Sequence, residues 1–279
     1  MTLPNHDEIA YWNNEAGPRW ALFQDQMDRA LAPLGARGLT TAAAGPGDAV
    51  LDIGCGCGGS SLELAGAAGA TGSVVGVDVS QPMLAVAEER ARAAGLGNVR
   101  FLLADAATEA FGDKTFDLAF SRFGVMFFDD PARAFSNVRG ALRPDGRLVF
   151  VCWRELAANP WFAVPDAAVR PHVPPQPKAD PEAPGPLSFS DPGRVRGILE
   201  RAGFEAVQFE AFDALLSLGP SSSALELLSH IGPASRLLNG AGERARADAL
   251  LALGGALREH ERAGDVALEG GVWIVTARA

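Results

Sequence analysis

Between Asp7 and Leu34 apolar residues recur three to four places apart (Ile9, Trp12, Ala16, then Trp20, Phe23, Met27, Leu31). This is the spacing of one helix face. Gly17-Pro18 predicts a break into two helices. From residue 50 the pattern changes to compact apolar blocks, each followed by a longer amphipathic stretch. Val50–Ile53, Ser73–Asp78, Asn98–Ala106, Phe116–Ser121 and Arg147–Trp153 read as strands with their exits. Between them, helices are predicted from a Ser60 cap onward, over Gln81–Ala94, and from Pro131 to Leu142. Five alternations of this kind predict an α/β fold, a parallel sheet with helices on both faces.

After Trp153 the pattern loosens. Nine prolines between residues 154 and 191 argue against a long helix and predict a loop or flexible lid. Trp161 and Phe162, near its start, join Trp153 in an aromatic group suited to a small-molecule pocket. Asp191-Pro192 caps a helix to about Ala202, and Phe204–Leu218 reads as a long strand. A helical stretch from Ser221 to about Glu261, broken at Gly232-Pro233 and near Gly240–Gly242, reads as a second cap. Gly271–Arg278 is the closing strand, placed antiparallel to its neighbour. The expected division is an N-terminal helical lid or packing arm over 1–45, then one domain over 46–279 with lid insertions at about 154–191 and 219–265.

Composition narrows the function. Thirty-four acids against 24 bases give a net charge of −10, which leaves no basic surface for a phosphate backbone, so no nucleic-acid partner is expected. Three cysteines (Cys55, Cys57, Cys152) are too few and too uneven for a disulfide framework and point to a reducing, cytoplasmic setting. Cys55 and Cys57 have no second Cys or His pair at metal-ligand spacing, and no metal is expected. No leader-like segment and no apolar run of ~20 residues occurs, so no membrane span is expected.

The candidate chemistry sits where strands end. The first strand carries Asp52 and runs into Gly54-Cys55-Gly56-Cys57-Gly58-Gly59, a turn that lets a ligand touch bare backbone and meet the N–H groups of a helix start. Asp78 ends the second strand and suits a ribose diol, because a carboxylate accepts two hydrogen bonds; capping the next helix is the alternative. Met83 is placed to pack on an aromatic base or in the core. Asp105 suits an exocyclic amine and the Ala106 N–H a ring nitrogen; a plain loop acid is the alternative. Ser121 ends the fourth strand. Arg122–Phe128 is an unusually apolar loop that should line a pocket, with Phe123 and Met126 in its wall and Arg122 either orienting an anionic acceptor or snorkelling. His230, beside Gly232-Pro233, is either structural or a substrate contact or base.

Val50–Gly58, Gly76–Ser80 with Pro82-Met83-Leu84, Ala104-Asp105-Ala106, Phe116-Asp117 and Leu142–Leu148 together resemble the class I S-adenosylmethionine-dependent methyltransferases, in their UbiE/Coq5-like (methyltransferase type 11) branch. The resemblance implies a Rossmann-like, seven-stranded, mostly parallel sheet whose last strand is antiparallel. It implies S-adenosyl-L-methionine as cofactor, S-adenosyl-L-homocysteine as product and a small-molecule acceptor. It sets the methionine part near Gly54, Cys55 and Gly56 on the Asp52 strand, the ribose at Asp78 and Val79, the adenine amine at Asp105, and the sulfonium near Ser121. Tyr11 and Trp20 fall where related enzymes close an N-terminal lid. No residue matches a dedicated catalytic base, which leaves O-, N- and C-methylation open, as monomer or homodimer. A nicotinamide oxidoreductase and a non-catalytic cofactor-binding protein are the competing readings.

Overall fold

The computed structural model describes residues 5–112, 114–175, 180 and 182–279. Residues 1–4 of the expected lid, and 176–179 and 181 of the first expected insertion, lie outside the described residues. The chain runs α1 (His6–Asn14), α2 (Ala16–Leu22), α3 (Gln24–Ala42), β1 (Ala49–Ile53), α4 (Gly59–Ala68), β2 (Ser73–Asp78), α5 (Gln81–Ala93), β3 (Val99–Leu103) and β4 (Phe116–Arg122). It continues through α6 (Pro131–Ala141), β5 (Leu142–Trp153), α7 (Pro160–Val169), α8 (Pro192–Arg201) and β6 (Glu205–Ser217). Three helices, α9 (Ser221–His230), α10 (Pro233–Asn239) and α11 (Glu243–His260), then lead to the short β7 (Glu261–Arg262) and to β8 (Asp265–Arg278).

The sheet order is β3-β2-β1-β4-β5-β8-β6, with β7 paired only to β8. β1 to β5 are parallel, and β8 runs antiparallel to both β5 and β6. The predicted fold class holds, with two refinements: the antiparallel strand lies inside the sheet with β6 at its edge, and β7 adds a two-residue hairpin arm. β8 is also longer than the predicted 271–278, because β6 pairs with it from Glu205 opposite Arg278 to Ser217 opposite Ala267.

The central strands form where burial on both faces suits branched residues. Val50, Leu51 and Ile53 are at most 1% exposed, and α3 covers the sheet with Leu31 and Leu34. Elsewhere Phe135 of α6 meets the rings of Phe150, Phe189 and Phe204, so β5 and the segments around α8 share one aromatic core.

Three local expectations are corrected. The N-terminal break falls at Glu15 and again at Phe23, not at Gly17-Pro18. Pro18 sits in the first turn of α2, where a missing N–H costs no helical bond, and Gly17 is needed because a Cβ there would lie 2.0 Å from the Trp12 carbonyl oxygen. α4 is capped by Gly58 at φ 80°, not by Ser60, whose hydroxyl turns inward. The proline-rich stretch is not all loop: Pro160 starts α7 at its first position, and the helix buries Trp161, Phe162 and Val169.

Candidate active site

One cleft opens at the carboxyl ends of β1, β2, β3 and β4, the edge at which open α/β sheets hold ligands. Its floor is the glycine turn after β1. Gly54 and Gly56 hold φ of 65° and 55°, the left-handed region that favours glycine. A Cβ on Gly54 would lie 2.6 Å from the Gly124 Cα, and one on Gly56 2.8 Å from the Met83 methyl. The turn therefore keeps a bare-backbone cradle against the end of β4.

Asp78 fixes that cradle. Its Oδ2 accepts from the Gly56 N–H at 2.8 Å and its Oδ1 from the Ser80 N–H at 2.9 Å. Burial pushes its carboxyl up, against the pull of these N–H groups. Asp105 accepts from the Ala107 N–H at 2.9 Å and, through Oδ2, from the Asn5 side-chain amide at 2.8 Å. The Asn5 side-chain oxygen accepts from the Asp129 N–H at 2.8 Å. The arm is tied down further along: Asn13 Nδ2 donates to the Val79 carbonyl at 2.7 Å, and Ser80 Oγ donates to the Trp12 carbonyl at 2.9 Å. Thus α1 lies latched across the tips of β2 and β3.

The other half of the cleft is aromatic. Phe123 and Trp153 stack with centroids 4.3 Å apart, and Trp153 stacks on Trp161 at 6.0 Å. Trp12 meets Phe127 edge-on at 5.2 Å and Trp20 at 6.2 Å. Phe123 adopts φ 67°, a conformation costing roughly 1–2 kcal/mol for a side-chain-bearing residue. The fold holds that ring in the cleft against its own backbone preference.

Of the residues singled out from sequence, Trp20, Gly54, Cys55, Gly56, Asp78, Val79, Met83, Asp105, Ala106, Arg122, Phe123, Met126 and Trp153 line this one cleft. Four others do not. Tyr11 turns away; its ring receives the Arg236 guanidinium at 4.7 Å and its hydroxyl accepts from Arg236 at 3.1 Å, while the adjacent Trp12 takes the cleft position. Asp52 is wholly buried beneath the turn, accepting from Ser60 and Ser61 hydroxyls at 2.7 and 2.6 Å. Ser121 is a brace: its Oγ donates to the Ile53 carbonyl at 2.7 Å and accepts from the Gly124 N–H at 3.1 Å. His230 is exposed, 2.8 Å from the Glu226 carbonyl, and its neighbours Ile231 and Gly232 reach the cleft instead.

Arg122 is not free to clamp an anion. Asp28 bridges it at 3.0 Å and Arg90 at 2.9 Å, and Gln24 donates to the same carboxylate at 2.7 Å. Burial would raise Asp28, but the two arginines and Gln24 hold it below the ordinary carboxylate range. Glu8 of α1 also lines the cleft, and burial pushes its carboxyl up. Burial likewise raises Cys55 well above an ordinary thiol and Cys57 to about 12, so both are protonated small residues of the turn. No cluster of three or more metal-ligating side chains occurs among the described residues.

Sequence reasoning missed Asn5, Glu8, Gln24 and Asp28. Asp28 carried a signal: it lies four residues after Gln24 and three before Leu31, so the inward stripe of α3 contains an acid.

The cradle fits a methionine-bearing nucleoside: two positive-φ glycines leave room for backbone approach, two strand-tip carboxylates offer acceptors, and Met83, Val79 and Ala106 add apolar wall. Asp78→Ala should weaken S-adenosylmethionine binding at least tenfold, about 1.4 kcal/mol, measured by titration calorimetry. Unchanged affinity would remove Asp78 from the site.

Comparisons with known proteins agree with this geometry. A methyltransferase-domain family model matches residues 50–146. Nocamycin O-methyltransferase of Saccharothrix syringae is 33% identical over 188 residues, 64% of this chain and 67% of that protein. Demethylmenaquinone methyltransferase of Bacillus cytotoxicus is 34% identical over 104 residues, 37% of this chain and 44% of that protein, so the chain spans under half of that relative. Among solved structures, the YcgJ protein of Bacillus subtilis superposes with a TM-score of 0.59 at 19% identity, covering 88% of this chain and 98% of that one, a likeness of fold. Sheet order, strand-tip acids and these matches converge: the chain belongs to the class I S-adenosylmethionine-dependent methyltransferases.

Proposed function

We propose that the chain moves a methyl group from S-adenosylmethionine to a small-molecule acceptor seated at the aromatic end of the cleft. The observation that carries this is continuity: strand-tip carboxylates and the aromatic wall line one space. That space has an empty volume of about 1400 Å³, its open mouth included.

Bound S-adenosylmethionine supplies a methyl carbon made electrophilic by its positive sulfur. The protein's own work is alignment and exclusion of water. Asp78, Val79, Met83, Asp105 and Ala106 hold the nucleoside end, and Gly54, Cys55 and Gly56 the methionine end. Phe123, Met126, Trp153 and Trp161 seat the acceptor. Trp12 and Trp20 roof the space, which supports reading the N-terminal helices as a lid and α7 with α9–α11 as a cap. Arg122, ion-paired with Asp28, shapes this wall.

The test is transfer of label from methyl-labelled S-adenosylmethionine into a metabolite extract, with calorimetry against NADH in parallel. A labelled small molecule and no NADH binding are expected. Cofactor binding without transfer under any condition would favour a non-catalytic binding protein; NADH binding would favour the oxidoreductase. The oxidoreductase is not favoured by the family match or by the antiparallel β8. Three free, buried cysteines support a cytoplasmic setting. The net charge of −10 supports a partner other than nucleic acid. Among the described residues, no helix is long and apolar enough to cross a membrane. A monomer or homodimer is the assembly we expect.

A further inference from the structure

The N-terminal arm begins with an asparagine that stands at a helix cap and does not cap. Asn5 is the N-cap residue of α1, yet its side chain makes no cap hydrogen bond, although asparagine is among the residues that serve best there. Its amide is used elsewhere. Nδ2 donates to Asp105 Oδ2 at 2.8 Å, and the side-chain oxygen accepts from the Asp129 N–H at 2.8 Å. The Asn5 backbone N–H also donates to the Asp129 carboxylate. Asn5 is 5% exposed and lines the cleft with Ala104, Asp105 and Ala106. It holds φ 55°, the left-handed region that asparagine tolerates better than most residues with a side chain.

The partners of this amide match those an adenine edge would seek. A primary amide sets a planar NH2 donor beside an acceptor oxygen. Adenine sets its exocyclic amine beside a ring nitrogen, the same donor and acceptor pair. Here the donor meets the Asp105 carboxylate and the acceptor meets a backbone N–H. The other oxygen of Asp105, Oδ1, is held by the Ala107 N–H at 2.9 Å. The amide of Asn5 thus has the oxygen that the cofactor reading gives to the base. Two further ties, Asn13 to the Val79 carbonyl and Ser80 to the Trp12 carbonyl, keep α1 docked if Asn5 lets go.

We infer that Asn5 is a built-in stand-in for the adenine amine: it occupies Asp105 Oδ2 while the cleft is empty, and the bound nucleoside displaces it. The contact is autoinhibitory. A ligand gains the Asp105 hydrogen bond only by breaking one of the same kind, so apparent affinity falls by the fraction of molecules in which Asn5 is released. The cost falls on ligands that carry the amine and spares those that lack it. Release is not a loss of order, because the freed side-chain oxygen can take the cap position on α1 that it leaves empty. The inference rests on Asp105 as the adenine partner within the proposed cofactor site.

The test compares wild type with Asn5→Gly, which removes the amide and keeps both the left-handed backbone and the N–H to Asp129. Two probes are titrated calorimetrically into the whole chain: S-adenosylhomocysteine and its 6-deamino analogue, whose purine C6 carries only hydrogen. Wild type should prefer S-adenosylhomocysteine by less than about threefold, because one hydrogen bond to a carboxylate replaces another. In N5G the preference should widen to about tenfold, through tighter binding of S-adenosylhomocysteine with the affinity of the analogue kept. A wild-type preference already at about tenfold overturns the inference whether or not N5G folds. A preference that does not widen in a folded N5G overturns it too. The two readings fail separately. A strong preference that is equal in both proteins keeps adenine on Asp105 and removes the stand-in; no preference in either protein removes adenine from Asp105 and the inference with it.

Discussion

Gly54→Ala should lower the melting temperature by at least about 6 °C and abolish cofactor binding. Two costs add. Alanine at φ 65° pays roughly 1–2 kcal/mol for the left-handed conformation. Its Cβ would also lie 2.6 Å from the Cα of Gly124, a backbone atom that cannot rotate away, and overpacking of this kind costs about 1–3 kcal/mol. A total of about 3 kcal/mol corresponds to roughly 6–12 °C in a chain of this size. Relief would require the turn to part from the Gly124 loop, which Ser121 holds to the end of β1. The Gly56 N–H bond to Asp78 would be disturbed with it. Thermal melts and calorimetry read both effects. The control is Gly66→Ala, on an open face of α4 with nothing within 4 Å of the added methyl, where alanine should be neutral or stabilising. A Gly54→Ala melt within a degree or two of wild type would sink the argument.

Asp52 gives the second large effect, and it appears as a pH dependence. The residue is fully buried; Ser60 and Ser61 share its Oδ2, and among the described residues it has no ion-pair partner and its Oδ1 accepts no hydrogen bond. Burial raises its carboxyl from the ordinary 3.8 to about 6, more than the two hydroxyls lower it. The folded state thus holds the proton more tightly than the unfolded chain does. Relative to a variant that cannot ionise, wild type keeps its full stability below pH 3.8 and loses it progressively as pH rises through about 6. A shift of this size is worth about 3 kcal/mol. Denaturant melts of wild type and Asp52→Asn from pH 4 to 8 should show wild type losing ground to the variant across pH 4–6.5, with the difference constant above about 7. A pH-independent difference would mean that Asp52 is ionised, or protonated, in both states.

Why the sequence showed so much of this site, and where it stopped, has a physical basis. Strand tips are legible because a strand buried on both faces is a nearly unbroken apolar run, and the first polar residue after it marks the sheet edge. Asp78 stood out for that reason. Tyr11 and Trp12 could not be told apart, because which of two neighbouring helical residues faces inward is set by the angle at which α1 crosses β2. That angle is fixed by Asn5, Asn13 and Ser80, contacts that span more than 60 residues of chain. Asp52 and Ser121 lie at the right edge, but their side chains point under the turn, which alternation along a strand decides only once register is known. The role of Arg122 depended on Asp28, ninety-four residues away. α7 was hidden by its prolines, which read as breakers until Pro160 falls on a first turn and Pro165 is offset by burial of its aromatic neighbours.

The place of β8 carries a consequence for how the chain is made. Residues 265–278 follow β6 in the chain, yet they sit between β5 and β6, pairing with β6 along most of their length and with β5 over residues 272–278. A ribosome emitting the chain in order exposes the open side of β5 and leaves β6 with no partner until this segment emerges. The nascent sheet therefore waits with two bare edges, the state most open to wrong pairing between molecules. Sheet completion waits for β8, and a nonsense change between Ser217 and Asp265 leaves β5 and β6 without the strand that joins them rather than trimming one edge.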